Sequence, residues 1–85
     1  MSEGGLVHLL RNVPVREIEG ALVRDGFVLR RETRTGGRVY VHRDRRRTFI
    51  HFHRGSITMK RGTLGDVLRA TRWTEEDARR LGLLS

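Results

Sequence analysis

Three of the four histidines, His42, His51 and His53, fall within one stretch, Arg38–Arg54, together with Tyr40, Phe49, Phe52 and six arginines. Imidazole titrates near neutral pH and can give or take a proton. Arginine stays protonated and can face developing negative charge, but it cannot act as a base. RNA carries its own nucleophile, the 2′-hydroxyl. A protein cleaves it by supplying a base for that proton, an acid for the leaving oxygen and cations for the phosphorane. Exposed rings add stacking on unpaired bases, worth about 1–3 kcal/mol per base. His42, His51 and His53 are therefore candidate acid–base groups. Arg38, Arg45, Arg46, Arg47 and Arg54 are candidate phosphate contacts, and Tyr40 and Phe49 are candidate stacking rings. The competing reading is an exposed sheet with amphipathic residues and no ligand. Three imidazoles could also hold zinc. No carboxylate stands ready to support them and the arginines oppose a cation, so neither a metal nor a cofactor is expected.

The elements that must position these groups follow from periodicity. Residues 38–42 and 47–53 alternate around a charged turn, which predicts a β-hairpin. In the first strand Val39 and Val41 share one face, and Arg38, Tyr40 and His42 the other. In the second strand Thr48, Ile50 and Phe52 oppose Arg47, Phe49, His51 and His53. The apolar sets are expected to form core and the Arg/His/aromatic sets to lie open to solvent.

Around the hairpin, a helix is expected from Pro14, capped by Asn12, with Val15, Ile18, Ala21 and Leu22 on one face and Gly26 as its stop. A first strand is read over Phe27 to Arg34, followed by a turn at Thr35-Gly36-Gly37. A second helix is expected over Leu64 to Thr71, with Thr63 as cap. A short last helix is capped by Thr74, with Asp77 closing a capping box. Trp73 precedes that cap and is read as a packing residue. The fold class is α+β: two layers in the order α-β-β-β-α with a short C-terminal helix. The three-stranded antiparallel sheet carries the helices on one face. Residues 1–13 are read as a mobile N-terminal extension or a short helical turn, and 14–85 as the domain.

With 85 residues and no cysteine, one small domain without disulfides or thiolate metal sites is expected. No apolar run is long enough to span a membrane or to resemble a signal peptide, so a cytoplasmic protein is expected. The formal charge is +8. Residues 24–61 hold twelve Lys and Arg against three acids, and the rest of the chain holds six against seven. Such segregation is the footprint of a polyanion binder, or else a solvated basic face. It adds Lys60 and Arg61 to the candidate RNA contacts.

An ordered set of motifs gives this reading a family. Asp25-Gly26-Phe27, Gly36-Gly37, Tyr40-x-His42, Phe52-His53, and Lys60-Arg61-Gly62-Thr63-Leu64 with Val67-Leu68-Arg69 together resemble the HicA-type mRNA interferase toxins, over about residues 14–84. The resemblance implies a double-stranded-RNA-binding-domain-like fold and a metal-independent endoribonuclease acting on mRNA. It also implies a HicB-type antitoxin as partner. One departure matters. The family's catalytic histidine follows a Gly-Gly or Gly-Ser pair, where this chain has Arg38. Histidines matching His42 and His53 are kept. Either cleavage has been lost and RNA or antitoxin binding retained, or another histidine of the hairpin has taken over.

Overall fold

A computed structural model describes residues 3–51 and 56–85. The elements run α1 (Glu3–Leu10), α2 (Val15–Asp25), β1 (Val28–Glu32), β2 (Gly37–Val41), β3 (Arg47–His51), α3 (Arg61–Thr71) and α4 (Glu75–Arg80). The sheet is antiparallel in the order β1-β2-β3. The expected α+β order is present, with one more helix at the N-terminus.

That helix is α1. Residues Glu3–Leu10 do not lie free of the domain: Leu6, Val7 and Leu10 are buried and α1 packs against α3. Three of its apolar residues recur at helical spacing and find the flank of a longer amphipathic helix. Leu9 points outward.

Helix α2 buries Val15, Ile18, Ala21 and Leu22, as its periodicity predicts. Pro14, not Asn12, occupies the N-cap, and the Val15 amide donates to Ile57 O at 2.8 Å. The orphan amide is thus paired by a distant strand-like segment rather than by a side chain. Gly26 ends the helix in the left-handed region, φ 105°. A Cβ there would also stand 2.9 Å from His42 Nε2, so glycine is required by the neighbour as well as by the turn. Helix α3 begins at Arg61, three residues before the expected start, with Lys60 at its N-cap and no side-chain cap. Thr63 therefore lies inside the helix. Helix α4 starts as expected: Thr74 and Asp77 form a reciprocal capping box.

The sheet corrects the expected faces of β2. Cross-strand partners share a face, and Arg38 pairs with Ile50 and Tyr40 with Thr48. Ile50, Tyr40 and Thr48 are all buried under the helices. Val39, opposite Phe49, and Val41, opposite Arg47, lie on the open face instead. Sorting β3 by hydrophobicity gives the right parity for Thr48 and Ile50. Sorting β2 the same way gives the wrong one, because a tyrosine with a partner for its hydroxyl is a better core residue here than a valine. The partner is Glu19 of α2. Phe52, assigned above to the core face, lies outside the described residues.

Candidate nucleic-acid interface

Tyr40 is a buried ring, not a stacking platform. Its hydroxyl donates to Glu19 Oε2 at 3.0 Å, and Arg38 Nη1 donates to Glu19 Oε1 at 2.7 Å. Burial, then the hydrogen bond to Glu19, pushes the Tyr40 phenol up to about 12. Arg38 also faces Glu32, Nε to Oε2 at 3.6 Å. Its guanidinium is thus tied to two carboxylates. Burial works against that charge, but Glu19 and Glu32 outweigh it and raise its pKa further.

His42 is also turned inward. Its Nε2 donates to Asp25 O at 2.9 Å, since a carbonyl can only accept, and its Nδ1 receives the Asp44 amide at 3.1 Å. The ring stands edge-on to Phe27, 5.1 Å between centroids. Both nitrogens therefore link the end of α2 to the β2–β3 turn. His42, a candidate acid or base, is held here as a clasp between these two elements.

The same turn holds Arg46, a candidate phosphate contact, against the protein. Its Nη1 reaches Asp25 Oδ2 at 3.0 Å and Thr71 O at 2.5 Å, its Nε reaches Asp44 Oδ2 at 2.7 Å, and its guanidinium carbon lies 4.9 Å from the Phe27 centroid. Asp25 is further held by Trp73 Nε1 at 2.9 Å and Arg80 Nη2 at 3.2 Å. Burial alone would raise the Asp25 carboxyl. The hydrogen bonds from Trp73 and Arg80 and the charge of Arg46 overcome it and hold the group below the ordinary carboxylate range. Asp25, Arg46 and Trp73 thus join α2, the hairpin turn and the α3–α4 junction.

What remains exposed is a narrower set on β3 and α3. Arg45, Arg47, Phe49 and His51 all face solvent. The Phe49 ring is about half exposed (51%) and meets the His51 ring edge-on at 6.0 Å. It also lies across Gly37, where a Cβ would come within 2.5 Å of Phe49 Cζ. The glycine that opens β2 is what lets this ring lie flat on the sheet. Arg47, Phe49 and His51 line a cleft of about 430 Å³ whose other wall is Thr63, Asp66 and Ala70 of α3. Lys60 and Arg61 are exposed at the N-terminus of α3. His53 and Arg54 lie outside the described residues.

Sequence reasoning named Arg69 only within a motif, not as a candidate contact, and missed Arg72. Both fall in the part of the chain whose charges nearly cancel, and nothing in that tally says which cations a fold gathers. With Arg45 and Arg47 they line a second cleft of about 280 Å³, between the hairpin turn and the C-terminal end of α3. Arg69 is paired with Asp66. Among the described residues Arg45, Arg47 and Arg72 have no carboxylate partner. His42 and His51 lie on opposite faces of the sheet, and no three metal-ligating side chains converge among the described residues.

A family model described as "HicA toxin of bacterial toxin-antitoxin" matches residues 15–73. The chain belongs to the HicA toxin family. No curated protein matches it as a relative. The match begins at α2 and ends at Trp73, so the HicA unit comprises α2, the sheet and α3. Helices α1 and α4 pack around that unit from outside the matched span. No helix among the described residues is long and apolar enough to cross a membrane.

Proposed function

We propose that this HicA-family toxin binds RNA, mRNA in the cell, through the surface formed by β3 and the adjoining side of α3. The observation that carries the reading is the grouping of Arg45 and Arg47, cations without carboxylate partners among the described residues, beside the exposed Phe49 ring and His51. The arginines face phosphates and the ring faces an unpaired base, while the valines of the open sheet face add apolar contact. Membership of a toxin–antitoxin family supports an antitoxin as the second partner, and its acidic groups would compete for the same cations.

Cleavage is a second reading, favoured by His51. Among the described residues of the hairpin it is the imidazole exposed beside the proposed RNA contacts. His51 would accept the 2′-hydroxyl proton as that oxygen bonds to phosphorus, with Arg47 facing the phosphorane. The bond from phosphorus to the 5′-oxygen breaks, and the 5′-oxygen takes a proton from the His51 imidazolium or from water. A 2′,3′-cyclic phosphate is left, a metal-free transesterification. Arg38 favours the binding-only alternative, since an arginine anchored to Glu19 is no base.

Two assays test these readings. Fluorescence anisotropy with a 2′-O-methylated, uncleavable oligonucleotide is expected to show affinity that falls steeply with salt. Absent or salt-independent binding contradicts the RNA reading. Long single-stranded RNA incubated with EDTA tests cleavage, with His51→Ala and His53→Ala alongside. The cleavage reading expects His51→Ala to abolish cutting and keep affinity. Undiminished cutting by that variant removes His51 from the mechanism, and an inert wild type selects the binding-only reading.

A further inference from the structure

Among the described residues, two other than glycine adopt positive φ: Arg45 at 80° and Arg72 at 60°. Each stands where the backbone itself calls for glycine or asparagine. Arg45 closes a short hairpin turn, in which the Arg45 amide donates to His42 O and the His42 amide to Arg46 O. The left-handed position at the end of such a turn is ordinarily glycine. Arg72 is the left-handed residue that stops α3, its amide returning to Leu68 O, again a glycine position. The chain contains ten glycines, and at the other left-handed positions among the described residues it uses them: Gly26, Gly36 and Gly82.

These two exceptions come from different elements, and both line the same cleft of about 280 Å³. Backbone strain retained at two places that converge on one cavity points to a requirement of that cavity rather than of either turn. What the two residues share is a guanidinium. Arg47 and Arg69 line the same space, and the rim carboxylate of Asp44 is occupied by Arg46. The ligand is therefore an anion, and the planar guanidinium fork suits phosphate.

We propose that this cleft is a phosphate site for the RNA backbone, with Arg45 and Arg72 as opposed jaws. The inference rests on the RNA-binding reading and extends it. The cleft shares Arg47 and Ala70 with the one beside Phe49 and His51. A strand gripped at Arg45 and Arg72 therefore runs along the β3–α3 groove toward the exposed ring and imidazole.

The test is the double variant Arg45→Gly/Arg72→Gly, beside Arg11→Ala/Arg16→Ala as a charge-matched control on other elements. Both are titrated with the 2′-O-methylated oligonucleotide over a range of salt, and thermal midpoints are recorded. Glycine relieves the strain, so the double variant keeps or raises its midpoint. The slope of log affinity against log salt falls by about 1.4, at about 0.7 per lost contact to single-stranded RNA. The control keeps the wild-type slope. A double variant that matches the control while the wild type binds RNA overturns the site alone. A wild type that binds no RNA overturns the site together with the RNA reading. A lower midpoint in the double variant assigns these arginines to the fold and overturns the site. So does loss of poly-glutamate binding with RNA binding intact, which assigns the cleft to an acidic protein.

Discussion

Arg45, Arg46 and Arg47 are consecutive and chemically identical, yet they do different work. Arg46 turns under the hairpin into contact with Asp25, Asp44, the Thr71 carbonyl and the Phe27 ring, and only 17% of its side chain is exposed. Arg45 and Arg47 turn outward to the clefts along α3. The difference comes from the backbone. The turn, closed by the left-handed Arg45, sends Arg46 toward the Asp25 carboxylate and leaves Arg45 and Arg47 to line the cleft beside α3. A run of like charges is thus not one patch. It is one cation used to join elements and two left for a ligand.

The comparison breaks most visibly in stability. Arg46→Ala leaves the partly buried Asp25 carboxylate with Trp73 and Arg80 but one cation fewer, and loss of the hydrogen bonds of a charged group costs about 2–3 kcal/mol. Arg47→Ala is expected to stay within about 0.5 kcal/mol of the wild type, as exposed substitutions do. Urea denaturation of the two variants checks this, and similar losses from both would erase the distinction. A second, smaller effect concerns the histidines. His42→Ala removes the clasp between the end of α2 and the hairpin turn, costing about 1–2 kcal/mol, while His51→Ala leaves the denaturation midpoint unchanged.

The pH dependence sharpens the same contrast. The Asp25 carboxyl holds its proton less tightly folded than unfolded, so its contribution is complete above the unfolded carboxylate range. It is lost as the pH falls below about 4. Asp25→Asn should flatten that acid limb. Tyr40 behaves oppositely, because its folded pKa of about 12 lies above the unfolded value. Its contribution is complete below about pH 10 and is lost as the pH rises toward 12. Tyr40→Phe should remove that alkaline limb, and thermal melts across pH would detect both. Smallest of all is the gain from relieving left-handed strain: Arg45→Gly alone should stabilise by roughly 1 kcal/mol.

Much of the fold was legible. The apolar stripe of α2, the glycine stop at Gly26, the three antiparallel strands and the Thr74 capping box all follow from local rules that the tertiary structure does not override. The face of β2 was not legible, because its parity depends on Glu19, far away in sequence and able to satisfy a buried tyrosine and an arginine together. The inward turn of His42 and Arg46 was hidden for the same reason: their acceptors, Asp25 O and the Asp25 carboxylate, come from the end of α2. Arg72 was missed because a helix stop reads as punctuation, and only its φ and its neighbours reveal a second use.

The most direct test of the account is a heteronuclear NMR titration of the labelled protein with the 2′-O-methylated oligonucleotide. Amide shifts should cluster on Arg45, Arg47, Phe49, His51, Ala70 and Arg72 and leave Arg46's partner Asp25 in place. Shifts confined to α1 and α2, with β3 and the end of α3 silent, would contradict it.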